Sequence, residues 1–234
     1  NLTGGTTYSG STGQLAGFTV LAYNSAGYSQ SAPRLTAMTY TCEPTDMVAP
    51  TTTTAAPSGS WATTNISRTL TCTDNTPGGV GCASTHWQFV AQGTTCPAAG
   101  TSYTTGTSAT TNSNGQWRLC FYSKDNVNNV ETPKFLEVFK LDSVAPAGSI
   151  TAPTAGASVS GTAVTISATA TDSLSGIASV AFKVDGATVA TDTTSPYSTS
   201  WNSTTIANGT HTVSATITDV AGNTFTTTAN SITV

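Results

Sequence analysis

Apolar positions along this chain alternate with Thr and Ser far more often than they recur at helical spacing. Val164, Ile166, Ala168 and Ala170 take every second place in one run; Val180, Phe182 and Val184 do so in the next. Tyr197, Thr199 and Trp201 continue the pattern, and His211, Val213, Ala215 and Ile217 repeat it. A period of two is that of a strand with one face buried and one face wet. Turn chemistry separates the runs: Thr171-Asp-Ser-Leu-Ser-Gly176, Asp185-Gly186, Asn208-Gly209 and Thr218-Asp-Val-Ala-Gly-Asn223. Asp-Gly between alternating runs is a strong hairpin signal. Seven or so short strands at this spacing predict a β-sandwich over residues 142–234.

The chain also repeats itself. Asp46-Met-Val-Ala-Pro50 returns as Asp142-Ser-Val-Ala-Pro146, 96 positions later (146 − 50). Thr71-Cys-Thr-Asp74 stands where Ala170-Thr-Asp172 does, and Lys124-Asp-Asn-Val-Asn-Asn129 where Thr218-Asp-Val-Ala-Gly-Asn223 does. Tandem modules of one kind follow, the first spanning residues 42–141 and the second 142–234. Their junctions are short and end in a proline, which restricts the residue before it. The expected architecture is all-β: tandem β-sandwiches arranged as an elongated rod.

Residues 1–41 hold one alternating strand, in Gly17-Phe-Thr-Val-Leu-Ala-Tyr-Asn-Ser-Ala-Gly27, and material for a return strand from Ser29 to Tyr40. Together with the Leu2 to Tyr8 segment they resemble the last strands of a fibronectin type III module, with Tyr8 at the tyrosine corner. So few strands cannot bury a core alone. The rest of that module is expected upstream of residue 1, or from a neighbouring subunit by strand addition.

Only 8% of the 234 residues are charged and the net charge is −4, which excludes the basic footprint of a nucleic-acid binder. No apolar run approaches the ~20 residues of a membrane span. Thr, Val, Ile and aromatic residues argue for pleated sheet rather than disorder. The five cysteines, Cys42, Cys72, Cys82, Cys96 and Cys120, include no Cys-x-x-Cys and the chain has two histidines, so a zinc cluster is not expected. Four fall in one repeat, which points to disulfides and an oxidising, extracellular setting. Cys42 is left over, free to pair with an upstream cysteine.

Residues 142–234 resemble the bacterial immunoglobulin-like repeats of cell-surface and secreted proteins. The resemblance is carried by Asp142-Ser-Val-Ala-Pro146, Ile150-Thr-Ala-Pro153, Val159-Ser-Gly161, Val184-Asp-Gly186, Ala207-Asn-Gly-Thr-His211 and Asp219-Val-Ala-Gly-Asn223. Leu70-Thr-Cys-Thr-Asp74, Gly81-Cys-Ala-Ser84 and Tyr122-Ser-Lys-Asp-Asn-Val-Asn-Asn-Val-Glu131 resemble a cysteine-containing subset of such repeats. That resemblance implies the pairs Cys72–Cys82 and Cys96–Cys120; four cysteines by themselves allow three pairings.

An Ig-type sandwich brings the entry of its first strand, its B–C loop and its F–G loop to one end. That end would gather Asp46, Asp74 and Asp125 in the first module, and Asp142, Asp172 and Asp219 in the second. Such oxygen clusters suit Ca²⁺; the same residues also serve as plain turn formers that bond their own backbone. Trp87, Phe89, Trp117, Leu119 and Trp201 fall at strand periodicity and are expected in the core rather than on a sugar-binding face, with Trp61 the most exposed tryptophan. His86 and His211 have no nucleophile in a recognisable frame, and no Gly-x-Ser-x-Gly, His-Glu-x-x-His or phosphate loop occurs. Lys183 alternates outward, so an internal Lys–Asn crosslink finds no support. The four Asn-x-Ser/Thr matches at Asn1, Asn65, Asn202 and Asn208 are expected by chance in Thr-rich sequence.

The function expected is therefore non-catalytic: a structural or adhesive segment, such as a stalk, spacer or fibre, of an extracellular bacterial surface protein, with a filament subunit as a variant. Its partners would be neighbouring modules or subunits, and surface glycans or proteins. The alternative is an accessory carbohydrate-binding or spacer region of a secreted hydrolase.

Overall fold

The computed structural model describes residues 46–74, 79–100 and 102–234. The module expected over residues 1–41, and Cys42, lie outside them. No α-helix occurs among the described residues, and one 3₁₀ turn spans Ser203–Thr205.

The second sandwich is built from β10 (Ala147–Ala152), β11 (Val164–Thr171), β12 (Ile177–Val184), β13 (Ala187–Asp192), β14 (Ser198–Trp201), β15 (Thr210–Asp219), β16 (Thr224–Thr226) and β17 (Asn230–Thr233). One sheet runs β10-β11-β14 and the other β13-β12-β15-β16, with β17 also on β15. All pairs are antiparallel. The period-two alternation sends Ile166 and Ala168 from one sheet against Val180, Phe182, Val184, Val213, Ala215 and Ile217 from the other, closed by Trp201 and Ile232. Burying a side chain of this size is worth roughly 1.5–3 kcal/mol, so these faces hold the register: a one-residue slip would turn them to water. The β12–β13 turn places both Asp185 (φ 48) and Gly186 (φ 81) at positive φ, as an Asp-Gly hairpin requires. At Gly148 the backbone of β10 lies so close to β11 that a Cβ would stand 2.1 Å from the Thr169 carbonyl oxygen and 2.4 Å from Ile217 Cδ1.

The first sandwich uses β1 (Thr51–Thr53), β2 (Trp61–Ala62), β3 (Ile66–Thr69), β4 (Thr71–Thr73), β5 (Cys82–Ala91), β6 (Thr104–Thr105), β7 (Ser108–Thr111), β8 (Gly115–Asp125) and β9 (Lys134–Leu141). One layer is the sheet β2-β9-β8-β5-β6, in which β2 and β9 are parallel. The facing layer consists of the pairs β1-β4 and β3-β7. Leu70, 2% exposed, separates β3 from β4 and joins Ile66, Ala109, Leu119, Phe121, Phe139 and Leu141 in the core. Trp87, Phe89 and Trp117 pack against that cluster. Trp201 is buried and Trp61 half-buried.

Disulfides join Cys72 on β4 to Cys82 on β5, and Cys96 to Cys120 on β8. The first bridges the two layers. The second fixes the loop after β5 to the outer face of its own sheet, where Tyr103 meets Tyr122 edge-on and His86 stacks on Tyr122. Burial, followed by the charge of Lys124, holds the His86 imidazole below its ordinary pKa.

Candidate cation site at the module poles

Each module gathers three carboxylates at the end where its linker enters. Asp46, Asp74 and Asp125 each offer an oxygen within 4.8 Å of the others, and Asp142, Asp172 and Asp219 do the same. The residues come from three separate turns, so only the sandwich topology unites them.

The wiring is repeated. Asp46 Oδ1 accepts from its own linker at Val48 N (3.0 Å), and Oδ2 accepts from Val80 N across the pole (3.3 Å). Asp142 accepts from Val144 N (3.0 Å) and from Ser175 N (3.0 Å). Asp74 takes the Gly81 N–H at 2.8 Å, and Asp172 takes Leu174 N and Gly176 N at 2.9 and 2.8 Å. Asp125 is bonded by Val127 N, Asn129 N and Asn129 Nδ2; Asp219 by Gly222 N, Asn223 N and Asn223 Nδ2. The same asparagines donate back to the linker: Asn129 to the Asp46 carbonyl (3.0 Å) and Asn223 to the Asp142 carbonyl (2.9 Å).

Turn chemistry is thus realised at every carboxylate, and at Asp125 and Asp172 it favours the charged form. Burial opposes the charge of Asp125, but the Asn129 side chain and the N–H groups of Asn129, Val127 and Asn128 outweigh it and hold the carboxyl below its ordinary value. Asp172 is held low in the same way, burial being outweighed by the N–H groups of Leu174, Gly176, Ser173 and Ser175. Asp125, Asp142 and Asp219 are no more than 1% exposed, and Asp46 is 7% exposed. Among the described residues the ion pairs join Lys134 to Glu131 and His211 to Asp185, and neither involves Asp142, Asp172 or Asp219. Asp172 Oδ1 is buried without a hydrogen-bond partner among the described residues. A converging set of anionic oxygens, one of them unused, fits a hard divalent cation such as Ca²⁺.

The second pole lies at the junction, and the linker there is fastened on both sides. Asp142 N donates to the Ala62 carbonyl (2.9 Å), and Ser143 donates through N and Oγ to Asn114 Oδ1 (2.9 and 3.0 Å), all on the first module. Ser175 and Asn223 hold Asp142 from the second module. The repeat made both triads legible before the fold was known. The pole asparagines carried a weaker signal, and Asn114 none, because it marks only a turn.

Residues 146–215 match the family model described as bacterial Ig domain. Comparison with curated proteins gives no match. Among solved structures, the fibronectin(III)-like modules of Clostridium thermocellum CbhA align at 20% identity over 78% of this chain and 92% of theirs, with a TM-score of 0.41. A tetra-tandem repeat from the extending region of a large adhesion protein aligns at 20% identity over 80% of this chain and 49% of its own, with a TM-score of 0.32. The present chain therefore spans about half of that adhesion-protein structure.

Proposed function

We propose that this chain is an extracellular spacer segment of a modular bacterial surface protein, with its modules set end to end, and that Ca²⁺ at the two poles stiffens it. The observation that carries the reading is the linker at residues 142–146, hydrogen-bonded to both modules and lying beside a carboxylate triad. A flexible tether would be rich in Gly and Ser and free of such bonds. The match of residues 146–215 to bacterial Ig domains and the two disulfides support the extracellular setting. An adhesive tip or a filament would then be served by distance and direction, with neighbouring modules or subunits as partners. No helix among the described residues is long and apolar enough to cross a membrane.

Small-angle scattering with and without Ca²⁺, alongside calorimetric Ca²⁺ titration, tests both parts. An extended particle that binds Ca²⁺ and melts at a higher temperature with it is the expected result. A particle in which the modules fold back on each other would sink the spacer reading. An extended particle with no Ca²⁺ uptake would remove the ion and leave turn chemistry alone at the poles. Asp172→Asn should abolish uptake at the second pole while leaving the first intact.

A further inference from the structure

A groove of about 300 Å³ opens beside β2, β3 and β9 of the first module. Its described lining residues include Ser58, Ser60, Asn65, Arg68, Phe139 and Lys140, with no carboxylate among them. The whole chain has 7 lysines and arginines, so two of them in one groove concentrate its positive charge. Neither enters an ion pair among the described residues, where the pairs are Lys134–Glu131 and His211–Asp185. The Arg68 guanidinium lies 5.2 Å from the centre of the Phe139 ring, and one of its amino groups donates to the Ser67 carbonyl at 2.8 Å. Its Nε–H is buried and has no partner among the described residues. A buried donor left unpaired is costly, more so on a cation. Lys140 sits with its ammonium 5.9 Å from the centre of the half-buried Trp61 ring.

We infer that this groove binds the carboxylate-bearing ring of an acidic saccharide, a uronate residue. The guanidinium is a planar fork suited to a carboxylate, and its charge strengthens each hydrogen bond it makes. Ser58, Ser60 and Asn65 offer hydroxyl and amide groups of the kind that pair with sugar hydroxyls. Trp61 adds a flat amphipathic ring beside the charge. The volume is at the low end of the roughly 300–1,000 Å³ of small-molecule sites, enough for one ring rather than a length of polymer.

The test is a titration of the full chain with a galacturonate trimer, followed by backbone amide NMR. Maltotriose and sodium acetate serve as the neutral sugar and the bare carboxylate. The expected result is saturable shifts confined to residues 57–68 and 138–140 with the uronate trimer, weakened by added salt. Neither maltotriose nor acetate should reproduce them. Lys140→Gln should weaken binding about tenfold, the loss expected for one charge-assisted contact, with the melting temperature unchanged. Arg68→Gln should weaken it at least as much; because Arg68 also packs on Phe139, Lys140→Gln is the deciding variant. No saturable shifts, an equal response to maltotriose, an equal response to acetate, or full binding by Lys140→Gln would each overturn the assignment. Failure here leaves the spacer reading untouched, since the two rest on different residues.

Discussion

Glu131 is the most consequential buried carboxylate outside the poles, and its removal has a calculable cost. It is 6% exposed and lies between β8 and β9. Thr52 N donates to both of its oxygens at 3.1 Å, Thr52 Oγ1 to Oε2 at 2.5 Å, and Ser123 N to Oε2 at 3.2 Å. Thr52 Oγ1 also meets Ser123 Oγ at 2.7 Å, which in turn meets Thr85 Oγ1 at 2.9 Å. The carboxylate therefore fastens β1, the first strand of the sandwich, to the central strand β8. Glu131→Ala strips the partner from the N–H groups of Thr52 and Ser123, which are 2% and 0% exposed, while Thr52 Oγ1 keeps Ser123 Oγ. At about 1–3 kcal/mol for each of the two donors left unpaired, the loss is about 4 kcal/mol. The ion pair with Lys134 adds little, because the lysine is 45% exposed and screened by solvent. A domain of this size shifts by about 4–8 °C per kcal/mol, so the first module should melt more than about 10 °C lower. Scanning calorimetry reads the size of the loss, and hydrogen–deuterium exchange over residues 51–53 and 120–124 reads its place. Glu131→Gln keeps one acceptor oxygen and should lose about half as much. A loss below about 1 kcal/mol for Glu131→Ala, or an equal loss for Lys134→Ala, would refute the reasoning.

Three further outcomes follow from particular contacts. Gly148→Ala drives a Cβ to within 2.1 Å of the Thr169 carbonyl oxygen, so β10 must shift; a loss of about 3 kcal/mol in urea unfolding of the second module is expected. Reducing the disulfides reopens loops of 10 and 24 residues, each worth about 3 kcal/mol by loop entropy, and should lower the melting of the first module while sparing the second. In the second module, the Asp185 hydrogen bond and the Ala207 carbonyl raise the His211 pKa, while His211 and the Thr212 N–H lower that of Asp185. The histidine's contribution is complete below its unfolded pKa and fades as pH rises through the raised value. The aspartate's is complete above its unfolded pKa and fades as pH falls through the lowered one. The stability gap between wild type and His211→Gln should accordingly peak in the mildly acidic range, as measured by urea unfolding from pH 3 to 9.

What was readable in advance is what local pattern and repetition determine. Alternation placed Val180, Phe182, Val213, Ala215 and Ile217 inward, and they are all fully buried. Asp185-Gly186 announced its turn because few residue pairs accept two positive φ values. The cystine pairing came from resemblance rather than from spacing, and the structure supplies its physical sense: Cys72 and Cys82 flank one loop between facing layers. Glu131 gave no such warning, because nothing in Val130-Glu-Thr132 marks that carboxylate as buried; its environment is made by Thr52, 79 positions away on β1, together with Ser123 on β8. The groove of Arg68 and Lys140 was equally silent. These residues lie 72 positions apart (140 − 68), on β3 and β9 of different sheets, and only the fold brings them to one groove. Long-range polar partners are chosen by topology, and a single sequence displays topology only where it repeats.

The poles decide how far turn chemistry alone explains the acidic residues. Asp and Glu number 11 in the chain, and six of them form the two triads. A turn-forming aspartate needs only an N–H two residues ahead, and Asp46 and Asp142 satisfy that need with Val48 and Val144. Each nevertheless spends its second oxygen across the pole, on Val80 or Ser175, and each has its carbonyl held by the asparagine of a third turn. The matching aspartates are 96, 98 and 94 positions apart (142 − 46, 172 − 74, 219 − 125). The segments between them therefore differ in length, yet the convergence is the same. Independent turns would tolerate such slippage by drifting apart. Three turns tied to one linker cannot, because each fixes the direction in which the chain enters the sandwich, and direction is what a spacer has to supply.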